Sequence, residues 1–267
     1  MLSYHDLGKE LGKNIYVYPL KENNVKGNTI DFTASTFAFS PDGVYLYDEE
    51  KKKIVIPKHT TACIITNEAL YLSGKIGGSC HSRVRLTQKG IGHLGTTLDP
   101  FYCGQLLVIL HNTTENQILI DENERIISLM FYYLKSPIFE DTHTWAPTHL
   151  DKITGVTKDE YRKWLEANPW ANGKDILISN CINSKEYREF KKNYKRKIRR
   201  SGTFSEKVGI FFKHHKKIIL CFIVMAIIYG LLDFFMFSKM TDANNYRTEY
   251  FIAVGIFILG LFIGKNE

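Results

Sequence analysis

Several features that would assign this chain quickly are missing from it. No apolar core opens the sequence: residues 1–14, MLSYHDLGKELGKN, are polar with scattered apolar positions, so no secretory leader is expected. There is no CxxC pair. The five cysteines, Cys63, Cys80, Cys103, Cys181 and Cys221, are odd in number and scattered, which argues against a disulfide framework or a zinc ribbon and leaves reduced thiols in a cytosolic domain. On such a domain the sequon Asn112-Thr113-Thr114 carries no glycan. Cys80, His81, His93, Cys103 and His111 match no usual zinc spacing, so no metal is expected. One dinucleotide fingerprint is present only as letters. Gly90-Ile91-Gly92-His93-Leu94-Gly95 reads GxGxxG, but 96–100 (TTLDP) is a poor helix start, and the motif needs a helix N-terminus to receive pyrophosphate.

Long apolar runs are absent until the last fifty residues, and there they are concentrated. Residues 218–237, IILCFIVMAIIYGLLDFFMF, contain Asp233 as their single charge, and twenty residues cross a hydrocarbon core of about 30 Å. Residues 250–263, YFIAVGIFILGLFI, are shorter but have no polar face, and are expected to form a second span. Residues 191–217 carry eleven Lys or Arg against Glu206, whereas the connector 238–249 balances Lys239 and Arg247 against Asp242 and Glu249. Basic flanks stay cytoplasmic, so the expectation is a multi-pass protein of the cytoplasmic membrane with its N-terminal domain in the cytoplasm. Asp233 within the first span and the Gly260/Gly264 pair near the end of the second are candidate functional and packing positions.

The net charge of +7 gathers beside the first span. Ser184 is placed to cap a helix running through Arg200 and ended by Gly202, with Tyr187, Phe190, Tyr194 and Ile198 on one face and basic residues on the other. Such a helix beside a span is expected to lie on anionic lipid, and no nucleic-acid partner is expected.

Between Ile15 and Leu134 the pattern changes. Short runs rich in β-branched and aromatic residues recur about every ten positions: 15–18, 29–39, 44–47, 53–56, 62–66, 105–110, 116–120 and 126–134. Turn signals separate them, at 41–43, 48–50, 57–58, 74–78 and 121–123. This favours an antiparallel sandwich or barrel over a doubly wound sheet. Helix is expected only later, from a capping box of Thr157 and Glu160 to Asn168, where Pro169 stops it.

Residues 15–135 resemble the dCTP deaminase and dUTPase superfamily. The residues that carry the likeness are Leu98-Asp99-Pro100-Phe101-Tyr102-Cys103-Gly104-Gln105, the strand to Asn112, and Glu124-Arg125-Ile126-Ile127-Ser128-Leu129, preceded by Thr29-Ile30-Asp31-Phe32, Ile56-Pro57 and Thr66-Asn67-Glu68. The resemblance implies a mainly β fold, a distorted β-barrel or jelly roll over 1–137, assembled as a homotrimer with nucleotide sites at subunit boundaries. The chain would continue through a mixed extension (138–183), a basic helical linker (184–217) and a C-terminal transmembrane α-hairpin (218–264). Asp99 matches the carboxylate that orients the attacking water in the phosphohydrolase branch, with Mg²⁺ the cofactor if a nucleotide is hydrolysed. Ser79, His81, Ser82, Arg83 and Arg85 correspond loosely to the phosphate motif, and with His93, Asp99, Tyr102 and Asn112 they complete the expected nucleotide site. The glutamate that shuttles protons in deaminases is replaced by Ile109, which cannot, so deamination is not expected.

The expectation is therefore a membrane-anchored, degenerate dCTP deaminase-like domain that senses a nucleotide or cyclic oligonucleotide and acts through its hairpin, with an antiviral effector as one setting. A membrane-tethered nucleoside triphosphate pyrophosphatase and an oligomerising scaffold are the alternatives.

Overall fold

In the computed structural model, residues 1–93, 95–139, 158–171 and 173–201 are described. The two expected spans, 218–237 and 250–263, lie outside them; among the described residues no helix is long and apolar enough to cross a membrane. A compact unit runs from Met1 to Ile198, so 158–171 and 173–183 of the expected extension and 184–198 of the expected linker belong to the same body as the β domain.

The strands are β1 (Ile15–Tyr18), β2 (Thr29–Phe39), β3 (Tyr47–Asp48), β4 (Lys53–Ile56), β5 (Thr61–Leu72), β6 (Ile76–Ser82), β7 (Ile91–Gly92), β8 (Thr97–Leu98), β9 (Cys103–Asn112), β10 (Ile118–Asp121) and β11 (Arg125–Tyr133). The helices are α1 (Tyr4–Glu10), α2 (Val84–Gln88), α3 (Lys158–Ala167), α4 (Lys174–Asn183) and α5 (Lys185–Ser201). A curled antiparallel sheet has the order β7-β9-β5-β2-β11-β6-β8, with β1 added beside β5, and β10-β4-β3 form a smaller sheet.

Alternation sends Ile30 and Phe32 of β2, Ile64 of β5, Val108 and Leu110 of β9, and Leu129 and Phe131 of β11 into one continuous core. Burying each such side chain contributes about 1.5–3 kcal/mol. β2 and β5 are also buried on their other face, because the chain after the sheet folds back over it. Trp164 of α3 stacks on Phe37 at 5.0 Å between ring centroids, and Trp170 meets Tyr18 edge-on at 5.6 Å. Leu177 of α4, fully buried, packs with Ala69 and Tyr71.

Register shifts interrupt β2–β5 between Ala34 and Ala38, and β5–β9 between Ile65 and Ala69. Polar side chains take up the backbone groups released there. Thr66 Oγ1 accepts from Leu106 N at 2.9 Å and donates to Glu68 O at 2.8 Å, and Ser35 Oγ donates to Ile65 O at 2.7 Å. The Glu68 carboxylate accepts from Thr33 N at 2.7 Å and from Thr33 Oγ1 at 2.8 Å.

Three departures from the sequence reading have local causes. The stretch 74–78, which reads as a turn, becomes the start of β6 because Gly77 and Gly78 pair with Tyr132 and Phe131 of β11. The run 44–47 contributes only Tyr47 to a strand, with Tyr45 bridging Phe39. The apolar face of α5, read as lying on lipid, is packed on α1: Phe190 is fully buried, Tyr194 is 7% exposed, and the Tyr194 hydroxyl donates to His5 O at 2.8 Å. Ser184 does cap this helix, its Oγ accepting from Tyr187 N at 3.1 Å.

Candidate functional site

An open cavity of about 700 Å³ is lined by three short segments: 21–24, the β6–α2 junction with Arg83 and Arg85, and the β10–β11 turn with Arg125, while Thr33 forms its floor. Glu22–Asn24 form a 3-10 turn leading into β2. The β10–β11 turn is tight because Asn123 takes a left-handed conformation (φ 62°), which Asn tolerates, and Glu124 N donates to Asp121 O at 2.9 Å.

Behind the wall lies a fully buried carboxylate, Asp31 on β2. Arg83 Nη1 sits 2.5 Å from its Oδ2 and donates to Ser128 Oγ at 3.1 Å, and Ser128 Oγ donates to Asp31 Oδ1 at 2.7 Å. Arg125 Nε is 4.0 Å from the same Oδ2 and donates to Asn24 Oδ1 at 2.8 Å, while its Nη2 donates to Asn23 O at 3.2 Å. The Arg83–Asp31 contact has ion-pair distance without hydrogen-bond geometry, so Asp31 Oδ2 is neutralised but not saturated. Asn24 Nδ2 and Glu124 Oε1 are likewise buried with no hydrogen-bond partner among the described residues, although Arg85 Nε and Lys89 Nζ both lie 3.7 Å from Glu124 Oε1.

The acids of the rim are turned to other tasks. Asp121 pairs with Lys53 at 2.9 Å, a contact that holds its carboxyl below the usual range. Glu122 accepts from the Tyr47 hydroxyl at 3.2 Å, and Glu22 accepts from Asn193 Nδ2 of α5 at 2.8 Å. The side chains of Arg83 and Arg125 remain 26% and 35% exposed, Arg83 held by Asp31 and Ser128 and Arg125 by Asn23 and Asn24. Planar guanidinium groups held in this way suit the paired oxygens of phosphate.

Of the nine residues expected from sequence, Arg83 and Arg85 line this cavity. Ser79 and His81 bond to each other on β6, Oγ to Nε2 at 2.8 Å, and Ser82 Oγ donates to His93 O at 3.4 Å. Burial, and secondarily His111 and His81, pull the His93 pKa down. Asp99 is exposed in the β8–β9 connection, and the Tyr102 hydroxyl donates to Gln105 O at 2.5 Å. Asn112 serves a turn: its Nδ2 donates to Ile56 O, Pro57 O and Asn116 O, and its Oδ1 accepts from Thr114 N and Oγ1. Ile109 is 41% exposed on β9 opposite Cys63. Sequence reasoning missed Lys21, Asn24, Thr33, Glu124 and Arg125 as wall residues. The pairing of Asp31 with Ser128 across β2 and β11 was the available signal, since both quoted segments meet there.

Comparison with known proteins finds matches to the first half of the chain. A family model described as dCTP deaminase-like matches residues 1–134. The dCTP deaminase of Pyrococcus abyssi is 26% identical over 128 residues, covering 48% of this chain and 82% of the relative. That of Pyrococcus horikoshii is 27% identical over 128 residues, covering 48% and 81%. Among solved structures, the 2'-deoxycytidine 5'-triphosphate deaminase of Agrobacterium tumefaciens aligns at TM-score 0.39 and 14% identity, over 49% of this chain and 45% of that one. The EIAV dUTPase aligns at TM-score 0.36 and 16% identity, over 49% and 98%.

Proposed function

The chain belongs to the dCTP deaminase-like family through residues 1–134, and on that premise we propose that it binds a nucleotide through its phosphates and relays that binding to a C-terminal membrane hairpin. The observation that carries the reading is the pair of guanidinium groups, Arg83 and Arg125, both within 4.0 Å of one buried carboxylate and fixed by Ser128, Asn23 and Asn24 at the wall of an open polar cavity. Anchoring removes the rotamer freedom that a free arginine would lose on binding, so phosphate meets a preformed fork.

The ligand is a nucleoside triphosphate or a cyclic oligonucleotide, and the domain acts as a homotrimer. Sensing is favoured over deamination because Ile109 stands where the resemblance calls for the proton-shuttling glutamate. The uncovered charge of α5, Lys185, Arg188, Lys192, Lys195 and Arg196, faces anionic lipid headgroups. With its apolar face already packed, that contact is electrostatic, about 1 kcal/mol per basic residue near the surface. An antiviral effector is one setting for such a device.

Calorimetry of the full chain in detergent with dCTP, dUTP and cyclic oligonucleotides tests the reading. Binding that weakens at least tenfold in Arg83→Gln and in Arg125→Gln supports it, and unchanged affinity in both variants refutes it. Pyrophosphate release abolished by Asp99→Asn would replace the sensor with a tethered pyrophosphatase.

A further inference from the structure

We propose that occupancy of the cavity is coupled to the docking of α5, with Glu22 as the residue shared by both; the inference rests on the nucleotide reading above. α5 is the described element that leads into residues 202–267, and it is held to the β domain by two kinds of contact. One kind ignores the cavity. Lys191 Nζ donates to Gly8 O at 2.8 Å, Tyr194 to His5 O at 2.8 Å, and the Tyr194 ring lies so close over Gly8 that an added Cβ would sit 2.1 Å from it. The other kind reaches the cavity wall directly: Asn193 Nδ2 donates to Glu22 Oε2 at 2.8 Å.

Glu22 opens the 3-10 turn whose far side holds the site together. Asn23 O and Asn24 Oδ1 both accept from Arg125, and the preceding Lys21 donates to Asn123 Oδ1 at 3.2 Å. One turn of three residues thus has the ligand-facing cations on one side and the juxtamembrane helix on the other. An anion engaging Lys21 and Arg125 withdraws the donors that position this turn. The turn that presents Glu22 to Asn193 then loses its hold, so a bound phosphate group loosens α5. Linkage requires the reverse as well: loosening α5 at Asn193 tightens the ligand.

Hydrogen exchange of the full chain in detergent, with and without saturating dCTP or dUTP, reads the first direction; calorimetry of Asn193→Ala reads the second. Ligand is expected to speed exchange across 185–198, and Asn193→Ala to tighten binding about fivefold, the low end of ordinary coupling. Asn193→Leu, which removes the donor to Glu22 without adding charge, is the independent check and is expected to tighten binding about as much. Nucleotide binding with unchanged or slowed exchange in α5, and unchanged affinity in both variants, overturns the coupling and leaves the nucleotide reading standing. Absence of nucleotide binding to the wild-type chain overturns both.

Discussion

Breaking the ion pair behind the cavity from its two ends should cost very different amounts. Asp31 is fully buried, whereas the Arg83 side chain is 26% exposed. Arg83→Met leaves the carboxylate with Ser128 Oγ as hydrogen-bond donor and Arg125 Nε at 4.0 Å as its nearest remaining cation. A charge left in the interior without its partner destabilises by about 3–5 kcal/mol. Asp31→Asn removes the buried charge instead. Asn can still accept from Ser128, and Arg83 can turn its guanidinium to water, so the cost falls to about 1–3 kcal/mol. The double variant strands no charge, and it should be more stable than Arg83→Met alone. Urea unfolding of the full chain, followed by tryptophan fluorescence, measures this, because Trp164 and Trp170 both pack on the sheet. The slopes must agree among variants for the midpoints to be compared. If Arg83→Met is no worse than Asp31→Asn, or if the double variant shows the two costs simply added, the buried-charge reasoning is wrong.

Burial lifts the Glu68 carboxyl above its ordinary value of 4.5 despite the hydrogen bonds from Thr33, so the folded chain keeps a proton that the unfolded chain releases. Stability from this group is present below the ordinary value and is lost as pH rises through the folded one; Glu68→Gln should gain steadily on the wild type over that window in urea midpoints. Trp164→Ala should destabilise by less than the ~3–5 kcal/mol of a core tryptophan, since the ring is only partly buried, but it also orphans Gln105 Oε1, which accepts the indole N–H at 2.9 Å; an effect under 1 kcal/mol would contradict the packing role. Gly8→Leu should release α5 into limited proteolysis while the sheet stays resistant, because its side chain cannot coexist with the Tyr194 ring. Cys80 and Cys181, pushed up to about 12 and about 11 by burial, should stay unmodified by neutral iodoacetamide until the chain unfolds; peptide mapping of the native protein reads this directly.

Much of the sheet is legible in the sequence because its signals are local. β2 and β4 occupy the residues their β-branched and aromatic runs mark out, and α3 begins at Lys158, just after the Thr157 expected to cap it. The missed half of β5, Asn67 to Leu72, starts on polar residues that belong to a bulge, and a bulge has no periodic signature. α4 was missed for a related reason: its apolar residues Ile176, Leu177, Ile178, Cys181 and Ile182 are spread around the helix rather than gathered on one side. Of the cavity's lining, Arg83 and Arg85 stand in a stretch that sequence singles out, whereas Lys21, Asn24 and Arg125 come together only when β2 and β11 pair.

α5 shows why an amphipathic pattern alone does not choose a partner. Tyr187, Phe190, Tyr194 and Ile198 specify an apolar stripe, and a bilayer or another helix would satisfy that stripe equally well. The choice is made far away in sequence, by Gly8 and Gly12, whose missing side chains leave room for the Tyr194 and Tyr187 rings. Once the stripe is spent on α1, its hydroxyls donate to His5 O and Leu11 O, and lifting it out would expose both rings and backbone acceptors together. A basic helix fixed in this way cannot also insert its apolar face into lipid. What ties this helix to the β domain is therefore its set of α1 contacts together with Asn193, which meets Glu22 at the cavity wall.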